Sequence, residues 1–148
     1  MFLRAILIWA AVLLTAATAA AQHYPATDAD AIRHLMKSTW DKPAEPINIP
    51  SLTVVADYAV AGWTQGDMGG RALLRKKADG WSIILCAGDQ LKDVEHLRKA
   101  GIADAVARRL ASEVALAERA VSPKDLAMYS RFEGLVMIDP NTRHGHGH

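Results

Sequence analysis

The sequence predicts an α+β fold, in which a four-stranded antiparallel meander packs with an N-terminal helix and a C-terminal helical segment. Apolar residues recur at helical spacing near both ends of the chain and at strand spacing between residues 52 and 87. The turns that separate the strand-like runs are too short for the crossovers that join parallel strands. A block of strands flanked by blocks of helices is typical of α+β proteins.

Length, composition and charge agree with one folded domain. The chain has 148 residues, of which 51% are hydrophobic and 22% charged, and this composition excludes a disordered or collagen-like protein. The formal net charge is only +1, so no broad field attracts nucleic acid or an anionic membrane. We therefore expect no nucleic-acid partner.

The first 21 residues have the three-part layout of a secretory signal peptide. A short basic start over residues 1–4 precedes an apolar run over residues 5–14 and small residues over 15–21. A membrane anchor is the alternative, but it needs about 20 strongly apolar residues, and here the leucines and isoleucines end at Leu14. We expect cleavage on export to the periplasm, no membrane contact afterwards, a single domain over residues 22–140 and a flexible tail over 141–148.

The first helix of the domain is predicted to begin at Thr27 or Asp28 and to end near Asp41. A capping residue stands at its start, followed by apolar residues at helical spacing. These apolar residues are Ile32, Leu35, Met36 and Trp40. Three prolines over residues 41–51 favour an extended connector, because proline suits neither a helix interior nor a central strand.

Four short strands follow, and three helices are predicted after them. The strand-like runs cover residues 52–56, 58–65, 71–77 and 81–87, with a tight turn at Asp57 and a longer glycine-rich turn over residues 66–70. Helical spacing returns over residues 91–99 and 102–120. Ser122 and Pro123 mark the start of the last helix, which is predicted to end near Glu133 with Gly134 as its left-handed stop.

Two short motifs resemble those of a known protein family. They are Gly62-Trp63-Thr64-Gln65-Gly66 and Leu85-Cys86-Ala87-Gly88-Asp89, and the resemblance extends to residues 32–46 and 132–134. The chain is thereby similar to the copper uptake system-associated proteins, which are small exported bacterial proteins. This resemblance implies a role in periplasmic copper acquisition, with periplasmic copper chaperones or an outer-membrane copper receptor as partners. The helix followed by a meander is also similar to the cone of nuclear-transport-factor-2-like proteins, from which the helical C-terminal half departs.

Histidines at both ends of the mature chain are candidate copper ligands. His144, His146 and His148 alternate with glycine, so a pliable backbone can bring several imidazoles to one Cu(II), Ni(II) or Zn(II) ion. The alternative is a polar tail with incidental affinity. Cleavage after Ala20 would place His23 third in the mature chain, where amine, amide and imidazole nitrogens suit square-planar Cu(II), whereas cleavage one residue later removes this arrangement.

Cys86 is the only cysteine, so it has no internal disulfide partner. A lone thiol in an exported protein is either buried and inert or a ligand for a soft metal. Strand alternation predicts that Cys86 shares a face with Ile84, opposite Ile83 and Leu85. A Cu(I) site at Cys86 would use Met68 or a nearby histidine as its second ligand.

The sequence contains no familiar grouping of catalytic residues. Gly-x-Ser-x-Gly and His-Glu-x-x-His are absent, and Asp67, Asp79 and Asp89 stand at turns, where aspartate is common. We therefore expect no enzyme, but an accessory protein that binds or hands on copper. One alternative is an adaptor that contacts a copper chaperone or receptor without binding metal. Another is a small-ligand-binding cone whose pocket is lined by Trp63 and Trp81.

Overall fold

An antiparallel sheet of five strands forms the centre of the computed structural model, which describes residues 27–138. Its strands are β1 (Asn48–Val55), β2 (Tyr58–Gln65), β3 (Met68–Lys77), β4 (Gly80–Ala87) and β5 (Leu135–Met137). Their order in the sheet is their order in the chain, and every neighbouring pair is antiparallel. The predicted α+β class and meander are confirmed, with one strand more than predicted.

The helices lie on both sides of this meander in the chain. They are α1 (Asp28–Trp40), a 3₁₀ turn (Asp89–Lys92), α2 (Val94–Lys99), α3 (Asp104–Glu118) and α4 (Pro123–Ser130). Thr27 caps α1 as predicted, because its Oγ1 accepts a hydrogen bond from Asp30 N while Asp30 Oδ2 accepts one from Thr27 N, both at 3.2 Å. Ser122 caps α4 through its Oγ, which accepts a hydrogen bond from Asp125 N at 3.1 Å.

Two predictions about the strands were wrong at their boundaries. β1 begins at Asn48 and includes Pro50, which was assigned to a connector. Proline is tolerated there because β1 is an edge strand whose register shifts between Asn48 and Ser51. β3 begins at Met68, so the turn before it contains only residues 66 and 67, and Gly69 and Gly70 belong to the strand.

Two predictions about the helices also need correction. Residues 91–99 do not form one helix, since the 3₁₀ turn ends at Lys92 and Asp93 caps α2 by accepting a hydrogen bond from His96 N. The last helix ends at Ser130 rather than near Glu133. Gly134 does adopt the expected left-handed conformation, with φ +77°, but it leads into β5 instead of ending the helix.

The sheet separates two hydrophobic clusters. On the face covered by α1, the buried residues are Ile32, Met36, Ile47, Ala59, Ala61, Trp63, Ala72, Leu74, Ile83 and Cys86. On the face covered by α2 and α3, they are Val55, Val60, Leu73, Leu85, Ala87, Leu91, Leu97, Ile102, Ala107, Leu110 and Val114. Both faces of the central strands are therefore covered, which explains why residues 59–64 of β2 and 69–74 of β3 are all buried.

A bulge in β4 overturns the predicted alternation around Cys86. Leu73 pairs with Leu85 and Leu74 pairs with Ile83, so β4 carries one extra residue, Ile84, at this point. The extra residue reverses which face the later side chains occupy. Ile83 and Cys86 consequently lie in the same cluster, and Leu85 lies in the other.

Candidate functional site

A cavity of about 240 Å³ lies on the α1 face of the sheet. We name it the sulfur pocket, because a thiol and a thioether are both part of its lining. The lining residues are Trp40, Ile47, Trp63, Gln65, Met68, Cys86, Phe132, Val136 and Ile138. It is mostly apolar, so water is a poor competitor for whatever it holds.

Three adjacent strands bring its central residues together. Trp63 lies on β2, Met68 opens β3 and Cys86 lies on β4. Between Trp63 and Cys86, β3 presents only Gly70 and Ala72, which are their respective strand partners. Because these two residues are small, a space remains between the large side chains. Phe132 fills part of it, since a Cβ at Gly70 would lie 2.9 Å from its ring.

Aromatic rings form the walls of the sulfur pocket. The ring centroids of Trp40 and Trp63 are 6.2 Å apart, and those of Trp63 and Phe132 are 6.0 Å apart in an edge-to-face arrangement. Gln65 Nε2 donates hydrogen bonds to the carbonyls of Trp40 and Glu45, both at 2.8 Å. The end of α1 and the connector after it are thereby held at the mouth of the pocket.

Cys86 is buried, with 3% of its surface exposed. Burial raises the pKa of its thiol to about 12, and the neighbouring indole N–H of Trp63 lowers that pKa only in part. Trp63 Nε1 is itself buried without a hydrogen-bond partner among residues 27–138. A protonated thiol is a weak acceptor, so this N–H stays unsatisfied while Cys86 keeps its proton.

The structure brings some of the predicted site residues together and separates others. Met68, proposed as a partner of Cys86, lines the same cavity, although 61% of its surface is exposed. Trp81, proposed to line a pocket with Trp63, lies elsewhere, because its Nε1 donates to Asp28 Oδ1 at 3.0 Å. Trp40 and Phe132 take its place as aromatic walls, a role that the sequence analysis did not assign to either.

The predicted histidine ligands fall outside the part of the chain that the structure describes. This applies to His23 and to the three tail residues His144, His146 and His148. Within residues 27–138, no group of three or more histidine, cysteine, aspartate and glutamate side chains is placed to hold a metal ion. A metal at the sulfur pocket would therefore depend on Cys86 and Met68.

Arg71 forms a buried ion pair that the sequence analysis did not predict. Its guanidinium is only 1% exposed and pairs with both oxygens of Glu118, at 2.6 Å and 3.0 Å. Nη1 also donates to Asp89 Oδ1 at 3.1 Å, and the guanidinium lies 5.1 Å from the ring centroid of Tyr129. Arg71 thus joins β3 to α3, to the 3₁₀ turn and to α4, which is a structural role. The available signal was a cation directly before the apolar run of residues 72–74 in a strand-like segment.

No protein-family model, curated protein or solved structure matches the chain. The similarity to copper uptake system-associated proteins, with everything it implies, therefore stays a prediction. None of the helices within residues 27–138 is long and apolar enough to cross a membrane.

Proposed function

We propose that this chain is an exported accessory protein of periplasmic copper acquisition, which binds copper ions and hands them on. The sulfur pocket takes the reduced ion, and the tail residues His144, His146 and His148 capture Cu(II). One observation carries the proposal: the only thiol of the chain and the thioether of Met68 line the same apolar cavity.

The ligand chemistry favours Cu(I) over harder ions. Thiolate and thioether sulfur are soft ligands. They favour Cu(I) over divalent ions that prefer oxygen and nitrogen ligands. The aromatic walls offer no oxygen ligand, and the face of an indole ring attracts a cation. Trp63 belongs to these walls and lies beside Cys86.

Binding at Cys86 must displace its proton. With a thiol pKa of about 12, the thiolate is a minor species at neutral pH, so copper affinity should rise as the pH rises. The bound sulfur carries negative charge and accepts hydrogen bonds well. Trp63 Nε1, unpartnered among the described residues, then gains an acceptor, and such a donor typically orients and stabilises a ligand.

Titration of the mature protein with Cu(I) against a colorimetric chelator tests this proposal. Cys86→Ser should weaken Cu(I) binding by more than about 100-fold. Loss of a residue that only supports a metal ligand typically lowers metal affinity by up to about 100-fold, so a larger effect indicates a ligand. Met68→Leu should weaken it less. Met36→Leu, which changes a buried methionine outside the pocket, is the matched control and should leave the affinity unchanged.

Removal of residues 143–148 should lower the affinity for Cu(II) and leave that for Cu(I) unchanged. Equal Cu(I) affinity in the wild type and in Cys86→Ser would refute the role of the sulfur pocket. A mature protein that binds copper in neither oxidation state would refute the proposal and favour the adaptor that contacts a chaperone or receptor without metal.

A small organic ligand is the second candidate for the same pocket. The buried and unpartnered Trp63 Nε1 favours it, because a ligand with a hydrogen-bond acceptor would satisfy this group. The volume of about 240 Å³ lies below the usual range of about 300–1,000 Å³ for such sites. A fragment screen that reports on Trp63 fluorescence separates the two candidates, since Cu(I) binding requires Cys86 and a hydrogen-bonded fragment does not.

A further inference from the structure

We propose a second binding site, for a single acyl chain that ends in a carboxylate, on the opposite face of the sheet from the sulfur pocket. The site is a cavity of about 360 Å³ between α2, β4 and β5, which we name the acyl cleft. Its wall includes Leu85, Leu91, Ala100, Leu135 and Met137. A free fatty acid of medium length is the occupant this cavity fits.

The walls and the size of the acyl cleft suit an apolar chain. Leu135 and Met137 line it and are 50% and 49% exposed, so each has apolar surface that a ligand could cover. Covering apolar surface is favourable by roughly 25 cal/mol per Å². The volume of the acyl cleft lies within the usual range of about 300–1,000 Å³ for small-molecule sites. The volume of the sulfur pocket lies below that range.

The ammonium of Lys99 at the rim selects an anion. Lys99 and His96 line the cleft and stand three residues apart on α2, so they share one face of that helix. Among residues 27–138, Lys99 makes no ion pair, and no carboxylate lines the cleft.

The nearest acidic side chains on this helix are already engaged. Asp93 Oδ1 lies 2.9 Å from His96 Nδ1, and Glu95 Oε1 accepts a hydrogen bond from Arg98 Nη1 at 2.8 Å. A carboxylate at the mouth would therefore meet the Lys99 ammonium, and among the described residues no carboxylate lines the cleft to compete with it. Because the acyl cleft is a concave cavity of about 360 Å³, a free fatty acid fits it better than a bilayer surface does.

Nuclear magnetic resonance titration of the full mature protein tests this site. Decanoate, kept below its micelle concentration, should shift the amide signals of Ala100 and Leu135 in a saturable way. Decanol, which lacks the charge, should bind about threefold to fivefold more weakly, since a solvent-exposed ion pair has this modest effect. Lys99→Met should weaken decanoate binding to the level of decanol.

Two variants alter the acyl cleft, one by filling it and one by making its wall polar, and a third variant serves as control. Ala100→Phe should abolish binding of both probes, and Leu135→Gln, at an exposed position, should weaken both while leaving the amide spectrum that of a folded protein. Lys37→Met removes an exposed cation from α1, on the other side of the sheet, and should change nothing.

Equal affinities for decanoate and decanol would overturn the assignment of an anion. Unchanged decanoate binding in Ala100→Phe and Leu135→Gln would overturn the location of the site. Co-sedimentation with phosphatidylglycerol vesicles, in the absence of saturable decanoate binding, would show that the cleft contacts a lipid surface instead and would also overturn the proposal. None of these outcomes depends on copper.

Discussion

Replacement of Arg71 by methionine should destabilise the protein more than any exposed charge change. Arg71 lies inside β3 with 1% of its surface exposed, and its guanidinium makes two hydrogen bonds to the buried Glu118. Methionine fills a similar volume but leaves the Glu118 carboxylate buried without its main partner. An unpaired buried charge is far more costly than the pair it came from.

The expected loss can be worked out from the contacts. Removing one partner of a buried ion pair typically costs about 3–5 kcal/mol of the free energy of unfolding. Lys92 Nζ remains 3.7 Å from Glu118 Oε2 at the edge of the site, so we expect about 3 kcal/mol, the lower limit. The double variant Arg71→Met with Glu118→Met removes both charges and should lose only about 1 kcal/mol, less than either single variant.

Urea denaturation of the four proteins in this cycle measures these free energies. Arg108→Met is the matched control, because Arg108 pairs with Asp104 at 2.9 Å on the surface of α3 and both side chains are largely exposed. That variant should have little effect, since solvent screens the pair. A double variant whose loss equals the sum of the two single losses would refute the reasoning, because it would show no coupling between Arg71 and Glu118.

Three further predictions concern single sites. Gly62→Ala should cost about 1–3 kcal/mol in urea denaturation, because a Cβ there would overlap the Tyr129 ring and lie 2.5 Å from Ser51 Oγ. Hydrogen bonds from Lys76 and Trp81 lower the pKa of Asp28 from 3.8. The ionised Asp28 carboxylate therefore stabilises the fold above pH 3.8, and this stabilisation is lost as the pH falls through the lowered pKa of the folded state. Asp28→Asn should accordingly make Tm less dependent on pH in the acid range. The Cys86 thiol, with a pKa of about 12 against an ordinary 9.0, should react with iodoacetamide at pH 8 much more slowly in the folded than in the urea-unfolded protein.

Most of the fold could be predicted because its signals are local. Thr27 caps α1 and Ser122 caps α4 through side-chain contacts within four residues of the chain. The hairpins need only short turns between alternating runs. β5 could not be predicted in this way, because its three exposed residues carry no alternation with polar neighbours and it forms only when the chain returns to β4.

The candidate site was predictable only in part, for a similar reason. Cys86 and Met68 were chosen by their ligand chemistry, and both line the sulfur pocket. The face that Cys86 occupies depends on the bulge at Ile84, which appears only when β3 and β4 are paired. Arg71 finds Glu118 forty-seven residues away, and no local pattern reports a contact over such a separation.

β5 forms a wall of both cavities, because its alternate side chains point to opposite faces of the sheet. Val136 lines the sulfur pocket, and Leu135 lines the acyl cleft. The strand has three residues, and among residues 27–138 it pairs only with β4. Short edge elements open at a small fraction of the free energy of global unfolding. Displacement of β5 would uncover Cys86, whose strand partner is Val136, without disturbing the other four strands.

This arrangement predicts a coupling between the two proposed sites. A ligand in the acyl cleft would pack against Leu135 and Met137 and hold β5 in place, so it should slow the exchange of copper at Cys86. Stopped-flow transfer of Cu(I) from the protein to a chelator, with and without saturating decanoate, measures this rate. Ala100→Phe fills the cleft permanently and should transfer copper slowly without decanoate. Transfer rates that decanoate leaves unchanged would show that copper reaches Cys86 by a route other than the opening of β5.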